Sequence, residues 1–268
     1  MIHKLFLILL AMVFSGSANA QYLFNTPAIS SVELTVAQIS AFKKVFDAQN
    51  ETIAKNKIKR ITTENSRGTV SYTYDNKGRP LSFSLMGGGE GQMTECAYDA
   101  AGNLSQFKSI TIYEGKTEEF VIDYKYNSQG NVSEALLNKE IFFSPARKYV
   151  VSYNESNIPV SISSFDVNNN PVSISIIETN SDGKITSVKN EKGKNIVTII
   201  YSDEGISVDY LVDFPEMYVI KNNRIEKYYD SLVSNDFTFD ADGVPSGVTV
   251  TGKDDGKSVK YVYKKEKY

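Results

Sequence analysis

The sequence predicts a mainly β fold, an extended antiparallel meander of stacked β-hairpins that forms a curled sheet, an open barrel or a shell, with one short N-terminal helix. Two observations predict this class. From about Ile61 onward, short runs of alternating apolar and polar residues are separated by Asp or Asn and by Gly, a pattern typical of all-β chains. The turns between these runs also resemble one another, which indicates a repeated unit.

The N-terminal residues have the form of an export signal. Lys4 is followed by the apolar run Leu5–Phe14, and Ala18-Asn19-Ala20 is typical of a cleavage site. The apolar run is too short for a stable membrane anchor. The residue directly after the expected cleavage site is Gln21 and not cysteine, which argues against a lipoprotein. We therefore predict that residues 1–20 are a signal peptide. The mature chain would be exported and soluble, either periplasmic or secreted.

Residues 21–60 are predicted to form an N-terminal segment that contains the helix. Thr35 and Gln38 have the spacing of a capping box, and apolar residues then recur at helical intervals. We expect the helix to fade between Ala54 and Lys59, and to cover the sheet or plug its end. Docking of a partner is the alternative role. Residues 61–268 would then form the β-repeat domain.

Composition excludes several classes of function. The chain has 29 Lys and Arg against 32 Asp and Glu, which gives a net charge of −3. Such a composition lacks the excess of basic residues that is typical of nucleic-acid-binding proteins. Its one histidine, His3, lies in the expected signal peptide, so the mature chain would lack His-dependent nucleophilic catalysis and His-ligated zinc. The single cysteine, Cys96, cannot form an intramolecular disulfide. We interpret it as a buried apolar residue, with a reactive or intermolecular thiol as the alternative.

The alternating runs predict strands with one buried and one wet face. Their apolar residues lie two positions apart, and about sixteen strands fit the turn spacing. The predicted buried sets are Val70-Tyr72-Tyr74, Leu81-Phe83-Leu85, Tyr149-Val151-Tyr153, Ile158-Val160-Ile162 and Val172-Ile174-Ile176.

The repeated unit has aromatic residues two positions apart, then Asp or Asn, then Gly three positions later, and recurs at intervals of about 22 to 28 residues. The repeat-defining residues are Tyr72, Tyr74, Asp75 and Gly78; Tyr98, Asp99 and Gly102; Tyr124, Tyr126, Asn127 and Gly130; Asn180 and Gly183; Gly205; and Phe237, Phe239, Asp240 and Gly243. We predict structural roles for them. The aromatics contact cross-strand neighbours, Asp or Asn accepts backbone hydrogen bonds in the turn, and Gly supplies a positive φ.

This Tyr-x-Tyr-Asp-x-x-Gly-x-x-Leu pattern resembles the YD repeat of Rhs-type proteins, and the stretch from Tyr72 to Leu81 is the most similar copy. The resemblance extends from about Ile61 to Tyr263 in degenerate copies. Most lack an Arg after the Gly, with Arg79 the exception, and the terminal toxin domain of the large members is not seen. The resemblance implies a curled sheet that encloses cargo or binds carbohydrate or protein. It transfers no catalytic residue.

Other motifs receive structural interpretations. Asp240-Ala241-Asp242-Gly243 resembles a calcium loop, but Thr249 stands where the bidentate Glu is required, so we expect a plain turn. The glycines of residues 87–91 lack the Lys-Ser/Thr and helix of a phosphate loop. The Lys-rich segment Lys253–Tyr268 is expected to be an edge strand, with contact to an acidic partner as the alternative. Its alternating charges do not fit a lipid-facing strand.

Three functions follow from these observations. The first is an exported, non-catalytic binding protein for a carbohydrate or for another envelope or secreted protein; the seventeen Tyr favour sugar stacking and the absence of Trp weakens it. The second is an inhibitor or immunity partner of a secreted toxin. The third is a carboxylate-dependent hydrolase, with acids such as Glu90, Glu95, Asp99 or Asp123. We predict no enzyme activity, catalytic residue, cofactor or metal, and no nucleic-acid partner.

Overall fold

The structure is a computed structural model of the 268-residue chain. It describes residues 32–65, 68–88, 90–138, 146–210, 216–230 and 233–268. The predicted signal peptide lies outside the described residues.

The described chain begins with one helix, α1, Val32–Lys55. Val36, Phe42 and Ile53 are buried on one side of it, as the apolar spacing predicts. The predicted start at Thr35 was wrong, because the helix already includes Val32. The buried Val32 side chain adds a further apolar contact, and the acidic Glu33 in the first turn suits the positive end of the helix dipole.

Nineteen strands follow the helix. They are β1 Ile58–Asn65, β2 Gly68–Tyr74, β3 Pro80–Gly87, β4 Glu90–Tyr98, β5 Leu104–Tyr113, β6 Lys116–Tyr126, β7 Val132–Leu137, β8 Arg147–Tyr153, β9 Pro159–Phe165, β10 Pro171–Thr179, β11 Ile185–Lys189, β12 Asn195–Ser202, β13 Gly205–Tyr210, β14 Glu216–Lys221, β15 Arg224–Tyr229, β16 Val233–Phe239, β17 Pro245–Gly252, β18 Ser258–Val262 and β19 Lys264–Lys267.

The strands form one antiparallel meander that returns to its start. Each strand from β1 to β17 pairs with the next along the chain, and β19 pairs with β1. Only Tyr263 separates β18 from β19. The sheet is therefore a nearly closed, barrel-like meander with one helix, which confirms the predicted fold class.

The helix packs against the buried face of the sheet. It contacts β1, β11, β12 and β15, and the ring of Phe42 meets that of Tyr218 edge-on, with centroids 4.8 Å apart. The apolar side of α1 and the inward residues of the strands form a single core. Because α1 lies inside the curve of the sheet, it fills space that the strands alone would leave open.

In a meander, the turns that follow even-numbered strands all lie at one end of the sheet, here called the turn end. The last turns of the helix also lie there, since a Cβ on Gly78 would approach the carbonyl oxygen of Asn50 and one on Gly243 would approach Thr52. The Tyr268 N–H donates to the Lys57 carbonyl at the same end, over 2.9 Å. Most copies of the repeat therefore place their turns together at one end.

A β-bulge follows the turn in these hairpins. Tyr74 pairs with Pro80 but Thr73 pairs with Ser82, so Leu81 has no partner in the ladder. A bulge shifts the inward and outward alternation of the strand by one residue. Unpaired residues at the equivalent position of other hairpins are Ser105, Ser133, Val160, Thr186 and Ser246. Leu81 and Val160, predicted to be buried, are exposed for this reason.

The predicted buried set of β10 was also wrong. Val172, Ile174 and Ile176 are 43%, 40% and 44% exposed, whereas Ser175 is 3% exposed. The hairpin β9–β10 turns at the end opposite to the turn end, and its turn leaves the Phe165–Pro171 pair facing outward. A bulge at Val172 then shifts the alternation by one residue, so Ser175 faces the core and the isoleucines of β10 face solvent.

Candidate interaction surfaces

The turn residues of the repeat form a recurring network of local hydrogen bonds. Oδ1 of Asp75 accepts the backbone N–H groups of Lys77 and Arg79, both over 2.9 Å, and Arg79 Nε donates to Oδ2 over 2.8 Å. Oδ1 also accepts the N–H four residues ahead in the turns that begin at Asp99, Asn127, Asn154, Asn180 and Asp240. These side chains close the turns and are engaged within them.

Two repeat glycines are required by close packing. A Cβ on Gly78, at φ +77°, would lie 2.0 Å from the Asn50 carbonyl oxygen in α1. A Cβ on Gly205, at φ +153°, would lie 1.9 Å from the carbonyl oxygen of Tyr218. Side chains do not fit at such distances, so these glycines allow backbone to approach backbone.

The second aromatic residue of the unit links neighbouring repeats. The Tyr98 hydroxyl donates to the Pro80 carbonyl over 2.8 Å, and the Tyr126 hydroxyl donates to the Leu104 carbonyl over 2.8 Å. Each acceptor is the second residue after the Gly of the preceding repeat. Tyr153 and Tyr201 donate to Val132 and Ile185 in the same way, over 2.6 and 3.0 Å. Burial raises the pKa of Tyr153 and of Tyr201 to about 12.

Cations that follow the turns cover aromatic rings of the next repeat. The Arg79 guanidinium lies 4.3 Å from the Tyr98 ring centroid, and the Arg224 guanidinium lies 4.2 Å from that of Phe239. The Arg224 turn was missed in the sequence because Asn222 and Asn223, both at positive φ, replace the glycine. These contacts hold adjacent hairpins together.

The remaining repeat residues lie in the core. Tyr72, Tyr74, Tyr124 and Phe237 are buried. Cys96 is buried too, as interpreted from the sequence, and burial raises the pKa of its thiol to about 12. A buried thiol with a raised pKa has little thiolate character at neutral pH. The residues that define the repeat build the sheet and leave little of their own surface for a ligand.

The acidic residues considered for hydrolysis lie apart in the sheet. Glu95 stands opposite Lys108, and Asp123 accepts a hydrogen bond from Gln106 over 2.8 Å. Glu90 accepts the N–H of Glu114 at a hairpin over 3.3 Å, and Asp99 closes its own turn. Among the described residues, no group of three or more His, Cys, Asp or Glu is placed to hold a metal ion.

The structure does join two other carboxylates, which sequence analysis missed. The Tyr228 hydroxyl lies 2.9 Å from Oδ2 of Asp230 and 3.4 Å from Oε1 of Glu216. Tyr218 donates to the other oxygen of Glu216. The sequence signal for this group is a pair of mirrored motifs, Glu-x-Tyr at the start of β14 and Tyr-x-Asp at the end of β15. In each motif the two side chains share one face of the strand, because strand residues two positions apart do so. These hydrogen bonds connect side chains on the same face of the neighbouring strands β14 and β15.

A cavity of about 410 Å³ opens at the turn end. It is lined by Ala54, Lys57, Ile58, Asp75, Asn76 and Tyr268. Its carboxylate, Asp75, is already bound by Arg79, whose Nη2 lies 2.6 Å away. The cavity therefore lies where the end of α1, the β2–β3 turn and the C-terminal residue Tyr268 meet, and its carboxylate is already paired.

An apolar surface lies on the outside of the sheet. We call it the β10 outer face and define it by Val150, Phe165, Val172, Ile174 and Ile176. Val150 and Ile174 both stand opposite Ser163 of β9, which places them about 10 Å apart across the strands. Val172, Ile174 and Ile176 are the exposed members of this face, whereas Val150 and Phe165 are half-buried. Several exposed apolar residues on one face are a feature of contact surfaces.

Ion pairs flank the β10 outer face. Lys148 bonds Glu134 over 2.8 Å on one side, and Lys189 bonds Glu178 over 2.5 Å on the other. Hydrogen bonds from Lys125 and Lys148 lower the pKa of Glu134, and hydrogen bonds from Lys189 and Ser187 lower that of Glu178. The surface thus has an apolar centre and a charged rim whose charges are paired, an arrangement common in protein interfaces.

Comparisons with known proteins identify no family. No protein-family model and no curated protein matches the chain. Among solved structures, the chain is similar to a porin-like protein from Bacteroides uniformis, with 12% identity over 78% of this chain and 98% of that one and a TM-score of 0.37. It is also similar to the Photorhabdus luminescens Tc holotoxin pore, with 14% identity over 72% of this chain and 9% of that one and a TM-score of 0.34.

A third similar structure is a TcdB2-TccC3 complex, with 9% identity over 74% of this chain and 15% of that one and a TM-score of 0.19. The chain therefore spans less than a fifth of the length of either toxin component. At these scores the Rhs-type resemblance stays a prediction. Separately, none of the helical segments that the structure describes is long and apolar enough to cross a membrane.

Proposed function

We propose that the chain is an exported, non-catalytic binding protein whose ligand is another envelope or secreted protein, bound through the β10 outer face. The observation that supports the proposal is the inverted alternation of β10, which directs Val172, Ile174 and Ile176 to solvent and serines inward. Exposed apolar side chains that share one face of a sheet are stabilised when a partner covers them. The partner surface would be apolar at its centre, with polar groups opposite the paired charges of the rim.

The exposure of the aromatic residues favours a protein over a carbohydrate ligand. Sugar rings stack on exposed aromatic faces. Within the described residues, Tyr113 and Tyr268 are the aromatic side chains that are mainly exposed, at 50% and 58%. The tyrosines and phenylalanines of the repeat lie in or against the core instead.

The test compares two serine variants of the purified mature chain. Ile174→Ser changes the β10 outer face, and Leu81→Ser changes an equally exposed residue of β3, since the two side chains are 40% and 39% exposed. Wild type and Leu81→Ser should capture the same stoichiometric protein from envelope and culture-fluid extracts. Ile174→Ser should bind that purified protein at least about tenfold more weakly, a loss of about 1.4 kcal/mol.

Other outcomes would change the proposal. Captured polysaccharide without a protein would favour the carbohydrate ligand, and equal binding by both variants would move the contact away from β10. If the captured protein is a toxin whose activity the chain blocks, the function is that of an inhibitor or immunity partner.

A further inference from the structure

The barrel-like sheet is incompletely paired where β18 approaches β1. Tyr263 N–H donates to Ser246 over 2.9 Å, and Gly252 N–H donates to Lys257 over 3.0 Å. These bonds show that the odd-numbered residues of β18 direct their backbone groups toward β17. By antiparallel alternation, the backbone groups of Ser258, Lys260 and Val262 point the other way.

No strand in the described chain pairs with that side of β18. The ladder between the last strand and β1 ends at the pair Thr62–Lys264, and β1 itself ends at Asn65. We call Ser258–Val262 the β18 edge. Its backbone donors and acceptors form a short template for an added strand.

The side chains of the β18 edge combine positive charge with apolar surface. Val259 and Val262 are 51% and 64% exposed, and Lys260 between them is exposed. Lys257 and Lys264 flank the edge with highly exposed side chains, 83% and 77%. Their ion pairs with Asp255 and Glu64 are solvated and weak, so these lysines are available to another anion.

A second open edge in the same sheet is closed by a carboxylate. The β10–β11 ladder reaches only as far as the pair Ile176–Lys189, which leaves Ile174 beyond it. Oε1 of Glu191 accepts the Ile174 N–H there, over 3.0 Å. The flanking lysines of the β18 edge pair with the exposed acids Asp255 and Glu64, but among the described residues no carboxylate accepts the backbone N–H of Lys260 or Val262. An acidic partner can therefore contact both this edge and its lysines.

We propose that the β18 edge binds an extended acidic peptide by strand addition. The peptide backbone pairs with the N–H and C=O groups of Lys260 and Val262, and its acidic side chains contact Lys257, Lys260 and Lys264. Lysines on an edge prevent pairing between two copies of the same strand, and the same charges select an acidic strand. This surface is distinct from the β10 outer face, so either site can fail without the other.

The experiment measures the binding of a fluorescein-labelled peptide of alternating Glu and Val to the mature chain by fluorescence anisotropy. The control peptide has the same sequence with N-methyl groups on alternate residues, which removes backbone donors and keeps the charge. We expect the N-methylated peptide to bind at least tenfold more weakly. Equal binding of the two peptides would overturn strand addition, because charge alone would then account for the affinity.

Variants of the chain test the location. Lys260→Pro removes an N–H that faces the free side, a position where an edge strand tolerates proline, and Lys260→Glu reverses the charge. Each should weaken the binding of the unmodified peptide at least tenfold, whereas Lys192→Glu, at an exposed lysine on the β11–β12 turn, should change it less than twofold. Melting temperatures establish that the variants are folded, and if the proline variant is not, Lys260→Glu decides. Unchanged binding by the folded Lys260 variants would overturn the proposal.

Discussion

The hairpins β2–β3 and β9–β10 have closely similar sequences, but their equivalent side chains lie on opposite faces of the sheet. After the turn one continues Pro80-Leu81-Ser82-Phe83 and the other Pro171-Val172-Ser173-Ile174. Both turns begin with an Asp that accepts N–H groups two and four residues ahead, and both have a bulge after the proline. Yet Phe83 is fully buried and Ile174 is 40% exposed.

The difference lies in the strand that precedes each turn. In β2 the buried Val70, Tyr72 and Tyr74 run in phase to the turn, whereas in β9 the buried Ile162 is three residues before Phe165. An odd separation directs Phe165 outward, and the return strand inherits that orientation. A local motif therefore specifies a hairpin and its bulge. Which side chains of the return strand face the core depends on the alternation in the strand before the turn.

The largest expected difference between the two hairpins comes from truncating the matched residues. Phe83→Ala should lower the free energy of unfolding by about 3 to 5 kcal/mol, because it empties a buried aromatic site. Ile174→Ala should cost less than about 1 kcal/mol, because its side chain is partly solvated. Urea unfolding followed by circular dichroism measures both. Equal losses would mean that β10 does not have the orientation described here.

The turns that contain Gly78 and Gly193, at opposite ends of the sheet, differ in how closely their backbone approaches neighbouring residues. Gly78 and Gly193 have nearly equal φ, +77° and +74°, but a Cβ on Gly193 meets nothing within 4 Å among the described residues. Gly193→Ala should therefore show only the conformational cost, about 1 kcal/mol. Gly78→Ala adds a clash with α1 and should cost about 3 kcal/mol. Similar melting temperatures for the two variants would contradict the close approach of turn and helix.

Hydroxyl groups connect successive repeats at the turn end. Tyr126→Phe removes the 2.8 Å bond to the Leu104 carbonyl and should lower stability by about 1 kcal/mol. Tyr113→Phe, at an exposed ring at the opposite end of the sheet whose hydroxyl bonds the exposed Glu114, should leave it nearly unchanged. Denaturation midpoints of the two variants separate the inter-repeat bond from a general effect of losing a hydroxyl; a Tyr126→Phe variant as stable as wild type would show that the bond adds nothing.

These contrasts explain what the sequence predicts well and what it does not. Turn residues and helix periodicity depend on neighbours along the chain, so the antiparallel meander and its helix were predicted. Leu81 and Val172 were wrongly predicted to be buried, because a bulge cannot be recognised from the apolar pattern of the sequence. The segment Lys253–Tyr268 was predicted to be an edge strand, but its part Lys264–Lys267 pairs with β1 and helps to close the sheet. This closure depends on the stagger of the whole sheet. The pairing of Glu216 with Asp230 likewise depends on which strands become neighbours.

The smallest expected effect concerns the first residue of the turn, which is Asp in some copies and Asn in others. Hydrogen bonds from Asn103 lower the pKa of Asp99, and those from Asn170 lower that of Asp166. Since the folded pKa lies below the unfolded value of about 3.9, each carboxylate stabilises the fold above that pH and loses this contribution as the pH falls further. Asn127 accepts the same backbone bonds without titrating.

Asp99→Asn should therefore change stability little at pH 7 and leave the protein less sensitive to acid than wild type. Urea midpoints at pH 7 and pH 3 measure this difference. Asp182→Asn is the control, because at the Asn180 turn it is the backbone N–H of this residue that donates. If Asp99→Asn and wild type lose the same stability on acidification, the turn carboxylate is not part of the acid response, and Asp and Asn are equivalent at this position at every pH.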